Sequence, residues 1–279
     1  MISENNDALE NITNSAKSLQ NTQKFDYNKF RKILDQACYK IAQRFNIYTS
    51  EGRICKSRII NALAGHSCIA CISEKLSGSS TVNDIDALYK ECHKTAVNIL
   101  VEELYQLLTL AGYKVIISTE AELEYGKADI LITITSYGLN LTGNAKELIV
   151  EVKTGNSISL SQLFRYLLDE RSDKIIVWRV RKRQILVFNA QKIRPLLTEF
   201  MRMICLRANR LLSSQQIQPC HHAKQLNYSP TQEELEKMFE EFSEALVETL
   251  PSVIQTILDS FGVTLPQCNE KVMCNKDGV

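Results

Sequence analysis

Between residues 26 and 46, apolar side chains return every three or four positions, at Phe30, Ile33, Leu34, Ala37, Ile41 and Phe45, with Asp26 placed as a cap. That period predicts an amphipathic helix over 27–46. Shorter helical pieces are expected over 53–64 and 68–76, divided at Gly65 and stopped by Ser77-Gly-Ser-Ser80. A longer stripe, Val97, Leu100, Val101, Leu104, Leu107, Leu108 and Ala111, predicts one helix from a cap at Asp84 or Asp86 to residue 111, with His93 on it as a surface residue. The period then shortens. Runs dense in Ile, Val and Leu at 115–119, 129–134, 148–153, 175–180 and 185–189 predict five strands, with a helix around Gln162 between the third and fourth. Helical spacing resumes over 193–212 and again after Ser229-Pro230, where Leu235, Met238, Phe239, Phe242, Leu246, Val247 and Leu250 form the buried stripe. Pro251 is expected to kink or end that helix, with a short apolar helix following to Phe261.

Helices, strands and helices again predict an α/β chain organised as a helical region over 1–86, a mixed core over 87–190 and a helical region over 191–279. Residues 1–24, rich in Asn, Ser, Gln and Thr, read as a loosely ordered leader or a polar helix, and 136–145, with Gly138, Asn140 and Gly143, as a hairpin extension. With 279 residues, 44% of them hydrophobic, the chain can bury a sizeable core, and its net charge of +1 makes local charge matter more than the sum. No apolar run is long enough to span a membrane and the N-terminus lacks a signal peptide's basic and apolar regions, so a cytoplasmic protein is expected. Nine cysteines, an odd number, then argue against a disulfide framework. Cys68-Ile-Ala-Cys71 has metal-ligand spacing and Cys220-His221-His222 is a conspicuous trio, but the first pair sits in a small and apolar stretch that suits buried helix cysteines. No Gly-Lys-Ser/Thr phosphate loop is present, which excludes a motor built on one.

Two stretches carry candidate chemistry. In Glu147-Leu-Ile-Val-Glu151-Val-Lys153-Thr-Gly155, strand alternation puts Glu151 and Lys153 on one face with Ile149, and Leu148, Val150 and Val152 on the other. On an exposed strand such a pair is an ordinary solvated ion pair. Upstream, Tyr125-Gly-Lys-Ala-Asp129 leads into the second strand, and if the two strands pair, the Asp129 carboxylate lies beside that of Glu151. Two converging carboxylates suit a hard divalent cation, typically magnesium.

An Asp after a Gly and a small residue at a strand end, with Glu-Val-Lys on the next strand, resembles the signature of the PD-(D/E)XK nuclease superfamily. Gln162 and Tyr166, four apart on one helical face, look like the Gln-x-x-x-Tyr motif of its RecB-like and lambda-exonuclease-like branch. Members often carry an acid on the first helix, where Glu103 borders the apolar stripe more closely than Glu102. The resemblance covers roughly 87–189 and implies a restriction-endonuclease-like core of helix, three strands, helix and strand, with helical extensions. It implies hydrolysis of phosphodiester bonds in nucleic acid, DNA rather than RNA, cut internally or from an end. Magnesium or manganese would be held by Asp129, Glu151, the Val152 carbonyl and Glu103. Lys153 would orient water or stabilise negative charge, and Gln162 and Tyr166 would hold that water or a flanking phosphate. The iron-sulfur members of the superfamily share a compact cysteine group that this chain does not reproduce.

Arg179, Arg181, Lys182 and Arg183 form the densest positive cluster, at the turn between the last two strands. Contact with a phosphate backbone and service as a charged edge that deters aggregation both fit. Arg165 and Arg171 flank the helix around Gln162 as further nucleic-acid contacts, and Arg53, Lys56 and Arg58 suit either phosphates or a solvated helix face. Glu233, Glu234, Glu236, Glu240, Glu241, Glu244 and Glu248 make the last long helix acidic on its other side, which would turn from DNA or meet a basic partner surface. The alternative function is a catalytically silent nucleic-acid-binding or protein-interaction module on the same fold. A homodimer or a protein partner through the helical extensions is open.

Overall fold

Ile- and Val-rich runs bounded by turns pair into one sheet of five strands, Lys114–Leu123 (β1), Gly126–Thr135 (β2), Lys146–Lys153 (β3), Lys174–Arg179 (β4) and Gln184–Asn189 (β5), in the order β1-β2-β3-β4-β5. The computed structural model describes residues 27–66, 68–78, 84–135, 145–155, 159–169, 173–214, 217 and 231–263. Seven helices are found among them: Tyr27–Phe45 (α1), Lys56–Gly65 (α2), Ile69–Ser77 (α3), Asp84–Leu110 (α4), Leu160–Asp169 (α5), Ala190–Ser213 (α6) and Gln232–Phe261 (α7). The expected leader, the 136–144 loop, Arg171, the Cys220-His221-His222 trio and the Ser229-Pro230 start lie outside the described residues.

β1, β2 and β3 form an antiparallel meander, β3 and β4 run parallel, and β5 returns antiparallel. A parallel step needs a crossover, and α5 supplies it. Alternate side chains feed two cores. Leu131, Ile149, Ile175 and Val177 face one way, into a core completed by α1, α2, α3, α5 and α6. Ile130, Ile132, Ile134, Leu148, Val150, Val152, Ile176 and Trp178 face the other, against α4 and α7. Burial on both faces fixes the register, because a slip by one residue would exchange the two sets.

The five strands lie where the alternation put them, with β1 and β2 extended toward each other. β1 runs on past residue 119 to Leu123, which pairs with Gly126 across a two-residue turn. Within it Glu120 is left-handed, φ 49°, opposite Asp129, so the edge strand kinks beside that residue. A left-handed conformation costs a non-glycine residue about 1–2 kcal/mol.

The helical regions at both ends of the chain pack on the sheet and on each other. Arg44 of α1 donates to the carbonyls of Leu211, at 2.6 Å, and Ser214 at the end of α6. Arg207 of α6 donates to Leu63, at 2.7 Å, and Ala64 at the end of α2. Each arginine satisfies last-turn carbonyls that the helix itself leaves open. α7 starts with a capping box between Thr231 and Glu234 and ends at Gly262, φ 70°. It does not stop at Pro251, which lies inside one continuous helix. Pro251 and Val247, whose carbonyl loses its i+4 donor, are both exposed, so water can take the orphaned oxygen.

Trp178, fully buried on β4, donates its indole N–H to Thr249 of α7 at 2.9 Å, and Thr249 donates to the Ala245 carbonyl at 2.7 Å. Thr249→Val keeps the shape but strands the indole N–H away from water. It should lower unfolding free energy by about 1–3 kcal/mol, read as a reduced midpoint at unchanged slope in urea denaturation.

Candidate active site

β2 and β3 stay paired from Ile134 and Lys146 as far as Ile130 and Val150, and then part. Asp129 is the first residue beyond the last pair. Its Oδ2 accepts the Val152 N–H at 2.8 Å, so a side chain stands in for the ladder carbonyl at the fork. Groups of one strand residue point the same way, so the Val152 carbonyl also faces the fork. The next carbonyl, Lys153 O, faces β4 and accepts the Val180 N–H at 3.0 Å. Glu151 lies on the sheet face that carries Ile149, the face that α5 covers, and Asp129 stands at the fork close enough for its charge to act on Glu151.

Glu151 is 1% exposed. Its carboxylate accepts from the Lys153 ammonium and from Gln162 Nε2, both on Oε1, and from the Tyr166 hydroxyl on Oε2. Lys153 also donates to Gln162 Oε1 at 2.8 Å, and Gln162 Nε2 approaches the Tyr166 oxygen at 2.7 Å. The one phenolic proton has two acceptors, Glu151 and the Lys127 carbonyl at 3.0 Å. Residues 151 and 153 share a face because a strand repeats every two positions, and 162 and 166 because a helix nearly repeats every four. The expected juxtaposition of acid, acid and amine is present. Gln162 and Tyr166 both donate to the Glu151 carboxylate.

His93 was expected at the surface without a partner. It reaches the fork instead, with Nε2 3.1 Å from Asp129 Oδ2. The clue in the sequence is its place four before Val97 and seven before Leu100, on the edge of the buried stripe of α4. Glu103, the expected acid of that helix, is exposed and ten residues further on. A rise of about 1.5 Å per residue sets it roughly 15 Å along the axis from His93, so it does not join the site.

The electrostatics follow from burial and neighbours. Burial pushes the Glu151 carboxyl up, and the Asp129 charge adds to this against the opposing pull of Lys153 and Tyr166. Burial also acts to raise Asp129, but the His93 hydrogen bond and charge, the Val152 N–H and Lys153 outweigh it and hold Asp129 below its usual value. His93 is raised in turn, first by its hydrogen bond to Asp129. Burial and the Glu151 charge push the Tyr166 phenol up, so it stays a donor. Two acids side by side thus differ in character: Asp129 is ionised, and Glu151 holds its proton to higher pH unless a cation replaces it.

A divalent metal fits the donor set at the fork. Asp129 Oδ1 makes no hydrogen bond among the described residues, the Val152 carbonyl points the same way, and magnesium needs only one or two carboxylates beside water. Among the described residues no three His, Cys, Asp or Glu side chains are already gathered as a metal site. That includes Cys68 and Cys71, and it accords with a Glu151 whose oxygens are held by its own neighbours.

The expected nucleic-acid contacts fare unevenly. Arg165 is 5% exposed and cannot meet a strand on the surface. Arg181 donates to Tyr89 Oη at 3.0 Å and pairs with Glu241 at 3.2 Å, while Arg183 pairs with Glu248 and Glu244 of α7. Arg179 donates to Gln184 at 2.7 Å, and Lys182 is exposed at the turn. The basic surface that the acidic helix was expected to meet is therefore largely this chain's own hairpin. Lys56 pairs with Asp35 at 2.7 Å, and Arg58 donates to the Leu76 carbonyl at 2.6 Å, so these cations also serve the fold.

Compared with known proteins, the chain matches no family model, no curated protein and no solved structure. No helix among the described residues is long and apolar enough to cross a membrane.

A carboxyl raised by folding contributes stability that is complete below its ordinary value of 4.5 and is lost as pH rises through the folded value. Glu151→Gln removes that loss. The difference in melting temperature, variant minus wild type, should therefore grow as pH rises from about 5 to 8 in metal-free buffer, as followed by circular dichroism. An Asp129→Asn variant should behave oppositely at low pH, losing less stability than wild type as acid protonates the native carboxylate.

Proposed function

We propose that the chain is a metal-dependent nuclease of the PD-(D/E)XK type that hydrolyses phosphodiester bonds of nucleic acid, with DNA as the substrate. The observation that carries this reading is the fork: Asp129 accepting the Val152 N–H beside Glu151, with Lys153 hydrogen-bonded between Glu151 and Gln162. The order α4, three strands, α5, strand agrees with it. In an exposed ion pair none of this supporting shell would be needed.

Asp129, Glu151 and the Val152 carbonyl would hold magnesium or manganese, and His93 stands where it orients Asp129 or adds a nitrogen donor. When bound, the ion supplies positive charge for a phosphate oxygen and acidifies the attacking water. Lys153, fixed by Gln162, places an ammonium next to that centre, where it orients the nucleophile or meets charge that develops on the phosphate. Gln162 and Tyr166 hold the Glu151 carboxylate in one orientation, so α5 is a positioning element for the acid on β3. Burial excludes competing water from Glu151 and strengthens each of these interactions.

The protein-interaction alternative assigned the function to the acidic side of α7. Glu241, Glu244 and Glu248 on that side are engaged with Arg181 and Arg183, which weakens that alternative.

Incubation with plasmid, linear duplex and single-stranded DNA should give cleavage with magnesium and none with chelator. Asp129→Asn and Glu151→Gln should each lower the rate by on the order of 10²–10³-fold or more while the circular dichroism spectrum is retained. Full activity in either variant would remove the assignment. Tyr166→Phe, which leaves Glu151 short of one donor, should reduce the rate less, by roughly tenfold.

A further inference from the structure

Six cysteines fall among the described residues, all with free thiols, and their surroundings divide them. Cys38 and Cys92 are buried, and burial pushes the Cys38 thiol up to about 12 and raises that of Cys92. Burial also raises Cys205. Thiols held protonated in this way are inert. Cys68 and Cys71 are different: both are half-buried, and they stand three residues apart at the start of α3.

Their places on that helix bring the two side chains together. Cys68 is the N-cap, extended at φ −82° and ψ 128°, and its carbonyl closes the first turn by accepting the Ile72 N–H at 3.0 Å. Cys71 is therefore the third residue of the helix. An N-cap side chain folds over the first turn toward that third residue, which is the basis of the capping box. α7 displays the same two positions in contact. Thr231, its N-cap at φ −72° and ψ 162°, donates its hydroxyl proton to the carboxylate of Glu234, third in the helix, at 3.2 Å. In α3 both positions carry sulfur. Residues so placed have Cα atoms within the roughly 4.4–6.8 Å that a disulfide can span. Ile72 and Leu76 continue the Cys68 row at four-residue steps and are buried, while Glu74 and Lys75 are exposed. The pair thus stands at the border between packing and water, where a reagent can reach it.

The spacing also suits half of a zinc site, but such a site takes four ligands, and among the described residues no third Cys, His, Asp or Glu joins the pair. A cross-link kept for stability would gain little, because it closes a loop of only four residues, 68–71, and the constraint on the unfolded chain grows with loop length. Reversible exchange fits two accessible thiols held side by side at a helix start.

We propose that Cys68 and Cys71 form a dithiol–disulfide exchange site whose oxidant is a small-molecule disulfide such as that of glutathione. One thiolate of the pair attacks a sulfur of the oxidant, breaks its sulfur–sulfur bond and releases one small thiol. The second cysteine attacks the mixed disulfide, forms the Cys68–Cys71 bond and releases the other. Two electrons and two protons pass from the pair to the oxidant, so one protein disulfide and two small thiols result. This site does not rest on the nuclease reading.

The test treats the reduced full chain with oxidised glutathione under native conditions, quenches with acid and alkylates in denaturant. No Lys or Arg lies between residues 59 and 74, so trypsin releases both cysteines in one peptide, 59–75. In wild type that peptide should lose two hydrogens and both alkylation sites, and dithiothreitol should restore them. Of Cys68→Ser and Cys71→Ser, the variant that keeps the attacking thiol should retain glutathione on it about tenfold more than wild type does, because no second thiol resolves the mixed disulfide. Circular dichroism should show both variants folded, since serine is a favoured N-cap and position 71 is half-buried; the wild-type peptide carries the test if either is not. A wild-type peptide alkylated at both cysteines overturns the proposal, as does one that accumulates glutathione or joins either residue to a third cysteine. None of these readouts requires cleavage, so the nuclease reading is judged separately on Asp129 and Glu151.

Discussion

A carboxylate buried almost completely on a central strand is tolerable only if its surroundings supply hydrogen bonds and positive charge. Glu151 receives an ammonium, an amide and a phenol, two of them from a helix that reaches it through the crossover between β3 and β4. That requirement organises much of what surrounds it. β3 must end where it does for Lys153 to fold back, α5 must follow at once to bring Gln162 and Tyr166 over the strand end, and β2 must diverge at Asp129 to open the fork. Remove any of these and a charge is left in the core without compensation.

The acid at the fork is held differently. Asp129 replaces a backbone acceptor for Val152 on one side and meets His93 on the other, and the edge strand turns left-handed at Glu120 directly opposite. Strain at Glu120 costs stability that the two cores must offset, while the ionised Asp129 is held by His93, the Val152 N–H and Lys153.

Much of this was legible from the residues. Strand alternation placed Glu151 and Lys153 together, and the four-residue step placed Gln162 with Tyr166, because both periods are properties of the backbone. What the periods do not encode is which elements meet. His93 shares the edge of a buried stripe with Val97 and Leu100, but nothing in α4 says that the stripe ends against Asp129. Glu103 has the right composition and the wrong height on the helix. Arg165 reads as a surface cation until α2 and β2 are known to cover α5 on that side. The acidic side of α7 invites a partner molecule, and only the fold reveals that Arg181 and Arg183, some sixty residues earlier, already answer it.

Arg44 closes carbonyls 167 and 170 positions later in the chain, and Arg207 closes ones 144 and 143 earlier. The two arginines lock α1 and α2 to α6 in both directions, so the first helices cannot reach their final packing until residues beyond 210 have left the ribosome. Contacts of such long separation are the slow ones to form. The helices that flank the sheet in sequence, not the strands themselves, complete assembly.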